Sequence, residues 1–409
     1  MRKREESRGI PSKENVEDST FCGGTNRGRG ILYGLRMPAT ESDSSRDLRF
    51  DSVRGLMLVC MAINHLPSAL RFLTDESAGV FSAAEGFVLL SGIVAGWVYT
   101  RRLRRDGREA LGVAAWKRMV LIYRWQVAAF LSALVLVQVC AQVFGVVSEN
   151  SPQLFYQNPL LAALLGVLLL HQPGLLDILP MYCAFVMILP YVLDGLESGR
   201  RNLVLGLSAV LWLAAQTPEQ FDGATRYPIH LGSFNLFAWQ FLFVAGIAIG
   251  HAKASSPSSQ ITRQPLLFAA AAAVVAYGLG VIHLHWQPAW SDHLFGIMLN
   301  KPDLGLLRLV DFAAAAYLIA AAGAYFPRLL TWRPFAFLGQ HSLPVVAAQS
   351  VTTIVLLQFP ALFAIPVLNW TLTGLMIALS FAAAAWHQSF ATRPAAAGGA
   401  AARRAAIGK

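Results

Sequence analysis

Apolar residues along this chain fall in long, nearly unbroken blocks, not in strict alternation. Such blocks lie near 53–72, 79–99, 119–145, 176–194, 202–217, 234–251, 265–284, 307–326, 340–358 and 366–387, divided by short polar, Gly/Pro or Arg-rich stretches. About 20 apolar residues carry a helix across the hydrocarbon core of a bilayer, and several blocks reach that length. Period two is absent, which argues against a transmembrane barrel. The pattern predicts an all-α, polytopic integral membrane protein of about ten transmembrane helices. The block at 159–171 is apolar but short for a crossing, and is expected to be re-entrant or to lie along the outer face.

The flanks read differently. Residues 1–47 are polar and basic with no apolar period, so they are expected to form a disordered cytoplasmic tail. No signal-peptide apolar region precedes Val53, and Met37 is a candidate alternative start. Residues 48–390 form the expected membrane domain, and 391–409 an Ala/Gly-rich, flexible basic tail.

Composition agrees with the pattern. At 55% hydrophobic and 14% charged, the chain lies far from the balance of a soluble domain. A net charge of +10 would permit nucleic-acid binding, but its placement argues against it. Lys and Arg crowd the termini and the Arg101–Arg118 stretch, as expected of a cytoplasmic membrane face. That orientation puts both termini inside and leaves the loops at 146–158 and 285–306 outside, nearly free of basic residues. Cys22, Cys60, Cys140 and Cys183 have neither zinc-ligand nor disulfide spacing, and read as packing residues. His283 and His285 lack a third ligand, so no metal site is expected.

The first block carries the strongest chemical signal, Val53-Arg54-Gly55 running to Ile63-Asn64-His65. Eleven helical steps turn through about 1100°, about 20° past three turns, so Arg54 and His65 share a face about 16 Å apart along the axis. Asp51, three residues before Arg54, falls near that face. A histidine midway through an apolar block is costly to keep unless it serves a function. Glu85 starts the second block among small residues, one short loop from His65. It is either a carboxylate satisfied by packing or a partner that orients the imidazole and raises its basicity. Asp177, beside Pro180 and ahead of Tyr182, either lines a site or caps a helix. Asp311 is expected to pair locally with Arg308. The cluster at Arg101, Arg102, Arg104, Arg105, Arg108, Lys117 and Arg118 serves topology, anion binding, or both.

Three of these stretches together resemble a known family. Asp51-Ser52-Val53-Arg54-Gly55-Leu56, then Asn64-His65, then AEGFVLLSG from Ala84 to Gly92, look like the OpgC family, whose name-giving members succinylate osmoregulated periplasmic glucans. That family lies within the membrane acyltransferase family 3 group, marked by a basic residue and a His separated by ten residues on the first span, as Arg54 and His65 are. Weaker likeness continues through HQPGLLDILPMY (His171–Tyr182) and LGQHSL (Leu338–Leu343), over roughly residues 46–390.

The resemblance implies an inner-membrane O-acyltransferase with no bound cofactor. Acyl-CoA, succinyl-CoA by analogy, would be the cytoplasmic donor, and periplasmic glucans the acceptors. Membrane lipid and the enzymes of glucan synthesis would be its neighbours. It makes His65 the general base, with Glu85 and Asp51 in support. Arg54, Arg118, Arg101 and Arg102 would bind the donor phosphates. Asn64, Ser91, Asp177 and Tyr182 would line the substrate side. In the wider group an Arg-x-x-Arg pattern near the third span contributes to donor binding. Here Leu121 replaces the second Arg, so the carry-over reaches Arg118 and leaves Arg124 aside. Succinyl transfer also requires a cation or hydrogen-bond donors for the free carboxylate, which no sequence motif identifies. Two other readings stay open: acetylation of another surface polysaccharide, and a transporter with His65, Glu85 and Arg54 along a proton or anion path.

Overall fold

The structure, a computed structural model, describes residues 47–76, 78–148, 152–217, 229–255, 264–286 and 292–407. The expected N-terminal tail, with Met37, lies outside the described residues apart from Asp47. Within them the chain is helical and contains no strand: α1 (Leu48–Asn64), α2 (Arg71–Thr74), α3 (Ala83–Phe144), α4 (Gln153–Gln157), α5 (Pro159–Val167), α6 (Ile178–Glu197), α7 (Arg201–Ala214), α8 (Leu236–Ser255), α9 (Pro265–His283), α10 (Asp292–Leu299), α11 (Leu306–Tyr325), α12 (Arg333–Gln340), α13 (Ser342–Leu356) and α14 (Pro366–Ile407).

Among the described residues six helices are long and apolar enough to cross a membrane: α3, α6, α8, α9, α11 and α14. The 62-residue α3 carries two of the apolar blocks, because it breaks at Gly107, where φ is +82°. Only glycine takes that conformation without steric cost. All ten apolar blocks fall on helices, but α1, α7 and α13 are only 17, 14 and 15 residues long. Large apolar side chains such as Leu160, Leu203, Leu266 and Val367 are exposed on the outside of the bundle. An apolar exterior around a core that also buries Glu85, Gln126 and Arg308 is what a lipid solvent requires.

One expectation changes, at the end of the first block. The first block does not continue as one helix to residue 72: α1 stops at Asn64 and His65 is its C-terminal cap, not a mid-helix residue. Pro67 has no N–H to donate and disfavours helix at Leu66, which ends the helix in spite of the apolar residues beyond. The 159–171 block forms α5, whose nine residues reach about 14 Å, less than half the hydrocarbon thickness. At the other end α14 runs helical through the Ala-rich segment to Ile407. Alanine has the highest helix propensity, which favours this outcome.

Four contacts define one end of the bundle. Lys253 at the end of α8 lies 3.4 Å from Asp47 ahead of α1. Arg104 in α3 pairs with Glu197 of α6 at 2.6 Å and donates to Ser255 at 2.8 Å. Arg108 pairs with Asp194. The basic turn of α3 thus sits with the start of α1 and the ends of α6 and α8. The opposite end gathers the end of α1 and the starts of α3, α6 and α8, and there the cavities lie.

Backbone-to-backbone packing fixes two helix pairs. A Cβ on Gly55 would stand 1.8 Å from the Phe335 carbonyl oxygen, and one on Gly339 would stand 1.9 Å from that of Asp51, so α1 and α12 touch main chain to main chain. Ser52 ties the start of α12 to the same helix, donating to the Trp332 carbonyl at 3.0 Å and accepting its N–H at 2.8 Å. Between α3 and α8, Gly92, Gly96, Gly246 and Gly250 make the same kind of approach. Small residues at such crossings are the usual means of bringing membrane helices together.

Candidate active site

His65 sits where two cavities meet. One, of about 840 Å³, is also lined by His171, His230 and Gln153. The other, of about 230 Å³, is lined by Asp177, Lys301, Ser82 and Gln349. Both share Asn64, His65, Arg71, Gly174 and Leu175.

The chain holds His65 firmly by its neighbours. Asn64 donates to the Thr74 carbonyl at 3.0 Å and accepts from the Thr74 hydroxyl, which closes α2 back on α1. Asn369 of α14 donates to the Pro67 carbonyl at 2.8 Å and accepts the Ala69 N–H at 2.9 Å. Thr373 adds a hydrogen bond to Ser68 at 2.9 Å. With its backbone clamped on both sides, the His65 ring makes no hydrogen bond among the described residues. Both ring nitrogens are left for a ligand. The charges that act on the ring are those of Lys301, Asp75 and Arg71, the last two being paired to each other.

Glu85 is fully buried and otherwise engaged. One carboxylate oxygen accepts the Ser82 N–H at 3.0 Å and the Ser82 hydroxyl at 2.6 Å, forming the capping box that starts α3. The other pairs with Arg308 at 2.9 Å, and Arg308 also pairs with Glu76. Glu85 therefore orients the start of α3 and Arg308, and among the described residues it makes no hydrogen bond or ion pair with His65. Asp311 does not take Arg308 as its hydrogen-bond partner; its carboxylate accepts the Val80 N–H at 2.7 Å.

Asp177 occupies the N-cap position of α6 without capping it. Its Oδ2 instead accepts the Ser233 N–H at 2.8 Å, placing the carboxylate in the wall of the smaller cavity. Tyr182 lies deeper, donating to the Phe87 carbonyl at 3.2 Å, with Ser91 in hydrogen-bond reach and Arg54 close enough to act on it electrostatically. Arg54 lies 4.0 Å from the buried Asp51. These four residues form a second polar group among α1, α3 and α6, apart from the His65 cavities.

The remaining cations sit at the basic end. Arg101 stacks on Trp97 at 4.7 Å, Arg102 lies 3.7 Å from Asp106, and Arg102 and Arg118 both act on the Tyr99 hydroxyl. No cluster of three or more His, Cys, Asp or Glu suited to a metal occurs among the described residues. Cys60, Cys140 and Cys183 are free thiols, the last two buried.

The family described as OpgC protein matches residues 46–393, most of the chain. The chain belongs to the OpgC family. No curated protein and no solved structure matches it significantly. OpgC membership implies an acyltransferase role.

In this OpgC chain the structure brings His65, Asn64 and Asp177 to one pair of cavities. It groups Arg54, Asp51, Ser91 and Tyr182 in the bundle interior, and Arg101, Arg102 and Arg118 at the basic end. Sequence reasoning missed Lys301 and Arg71 at the cavities, Asn369 and Thr373 behind them, and the pairing of Arg308 with Glu85. Lys301 carried one usable signal: it is the one Lys or Arg in the stretch from 285 to 306.

Proposed function

We propose that this protein is a membrane O-acyltransferase that moves a succinyl group from cytoplasmic acyl-CoA to hydroxyls of periplasmic glucans, with His65 as general base. The observation that supports this reading best is the free imidazole of His65 at the junction of a large and a small cavity. The larger has the size of a site for a drug-sized ligand and suits a sugar unit.

In this reading His65 takes the proton of an acceptor hydroxyl as its oxygen attacks the acyl carbonyl. The new C–O ester bond forms, the C–S bond of the thioester breaks, and the proton passes to the departing thiolate. Asn64 and Asp177 border the reacting groups. The basic end faces the cytoplasm of the inner membrane by the positive-inside rule, which directs the His65 cavities outward. Asp47 and the far end of α14, whose His387 ring lies 5.4 Å from that of His341 beside α12, then share the cytoplasmic side. Arg54 stands between, with Arg101, Arg102 and Arg118 as the donor-phosphate cations.

The test is mass spectrometry of periplasmic glucans from cells with the protein, without it, and with His65→Ala, before and after mild alkali. Succinyl esters add about 100 Da per group and acetyl esters about 42 Da, both removed by alkali. The reading expects the succinyl increment with the wild type and none with His65→Ala at equal membrane level. An acetyl increment would move the assignment to acetyl transfer. Retention of more than a few per cent of the product by His65→Ala would remove His65 as the base. No ester in any strain, with substrate flux in empty vesicles, would favour a transporter.

A further inference from the structure

The smaller cavity has a feature that general acid–base chemistry does not need. Lys301, in the segment between α10 and α11, lines its wall opposite the end of α1, half-buried and close enough to His65 to act on it electrostatically. Among the described residues no carboxylate lies within 4.0 Å of its ammonium and no side chain accepts from it. The other charges of the cavity have partners. Arg71 is paired with Asp75, and Asp177 accepts the Ser233 amide. A lysine lining a cavity beside the candidate base, with no ion-pair partner among the described residues, is a site for an anionic group.

We infer that Lys301 reads the terminal carboxylate of the donor's acyl chain, which makes the smaller cavity the acyl pocket and the larger one the acceptor site. The assignment rests on the acyltransferase reading and deepens it, by naming the residue that would recognise the free carboxylate of a succinyl donor. Size supports the division. A cavity of about 230 Å³ is below the range that holds drug-sized ligands, and fits a chain of four carbons better than a sugar. Its walls place Lys301 and His65 on the same space, so a carboxylate held by the ammonium leaves the thioester carbonyl toward the imidazole. Ser82, Gln349 and Ser350 supply further polar atoms around the chain.

The experiment measures transfer from succinyl-CoA and from acetyl-CoA to purified glucan by the full-length protein in nanodiscs, for the wild type, Lys301→Met, Lys301→Gln and Lys301→Arg. The Lys301 carbonyl, which accepts the Leu304 N–H at 3.2 Å, is unaffected by these changes. The wild type is expected to prefer succinyl, and Lys301→Met and Lys301→Gln to lower the succinyl-to-acetyl ratio of kcat/KM tenfold or more, through the succinyl KM. Lys301→Arg should retain most of the preference. A general folding defect would lower both donors together and leave the ratio unchanged. An unchanged ratio in correctly inserted Lys301→Met and Lys301→Gln overturns the assignment of Lys301 while the transferase reading stands. A wild type that transfers neither acyl group overturns the transferase reading itself, and this assignment with it.

Discussion

The buried pair of Arg308 and Glu85, with Glu76 at its edge, makes a quantitative test of what Glu85 does. Arg308 is 5% exposed and Glu85 not at all. Replacing Arg308 by Met leaves the Glu85 carboxylate without its countercharge in the bundle interior, whereas Glu76, 27% exposed by side chain, can turn to water. Removing one partner of a buried pair costs about 3–5 kcal/mol, roughly two to three and a half orders of magnitude in the folding equilibrium. The lost donation to the Leu299 carbonyl, 3.1 Å in the wild type, adds about 1 kcal/mol. The double variant Arg308→Met with Glu85→Gln should recover most of this. The amide carbonyl introduced by Glu85→Gln can still accept from Ser82, and the charge of Glu85 is no longer left unpaired in the interior. The assay is the thermal midpoint in detergent, read by fluorescence-detected size exclusion, alongside glucan acylation at matched membrane levels. Recovery of both stability and acylation in the double variant would give Glu85 a positioning role only. Recovery of stability without acylation would return its carboxylate to the chemistry. An Arg308→Met protein as stable as the wild type, or a double variant no better than the single, would refute the reasoning.

Other outcomes follow from the same geometry. Arg54→Ala should raise the apparent KM for donor roughly tenfold or more, as loss of a charged hydrogen bond does, and leave acceptor dependence unchanged; an unchanged donor KM removes that role. Gly339→Val should lose the protein from the membrane, because its Cβ meets the Asp51 main chain, whereas Gly112→Ala, with nothing within 4 Å, should leave levels unchanged. Equal levels for the two would show that α12 is not locked to α1. Gly86→Ala should keep its membrane level, since its Cβ clashes with the movable end of Met57 and otherwise makes ordinary contact with Phe312, yet slow transfer several-fold; Gly92→Ala, against the Phe243 carbonyl, should lose the protein. Wild-type turnover in Gly86→Ala would show that the seam beside Met57 is not used.

The apolar blocks were enough to read the helices, because burial in lipid demands an unbroken apolar run whatever the tertiary packing. They were not enough to read where the first span ends. Leu66, Ala69, Leu70, Phe72 and Leu73 keep the hydropathy high past the stop that Pro67 imposes. That shift moved His65 from mid-helix to a cap and set it beside loops rather than against Glu85. The true partner of Glu85 is 223 residues away, a distance no local pattern spans. Asn369 and Thr373 were hidden for the same reason, reading as ordinary polar residues in an apolar block. Helical periodicity was enough to single out Arg54 and His65, but not to show that they sit in separate polar groups, His65 at the cavities and Arg54 beside Asp51. Lys301 was visible as an exception to the positive-inside pattern, but its cavity was not.

Donor access follows from which seams of the bundle can open. The His65 cavities lie at one end and the phosphate-binding candidates at the other, with Leu58, Phe87 and Tyr182 packed between. In the acyltransferase reading a cytoplasmic thioester would have to pass between helices or through a rearranged state. The α1–α12 and α3–α8 pairs touch backbone to backbone, and parting them would separate main chains that fit only because glycine has no side chain. The seam between α1 and α3 is filled differently. Beside Gly86 the contact is the thioether end of Met57, a flexible side chain that can change rotamer without moving a helix. Arg54, Ser91 and Tyr182 lie among the helices of that seam, partway between the basic end and His65. In the acyltransferase reading this gives Arg54 a task that fits its place: it meets a negatively charged donor on the way to the base and helps hold it in line with His65, about 16 Å further along α1.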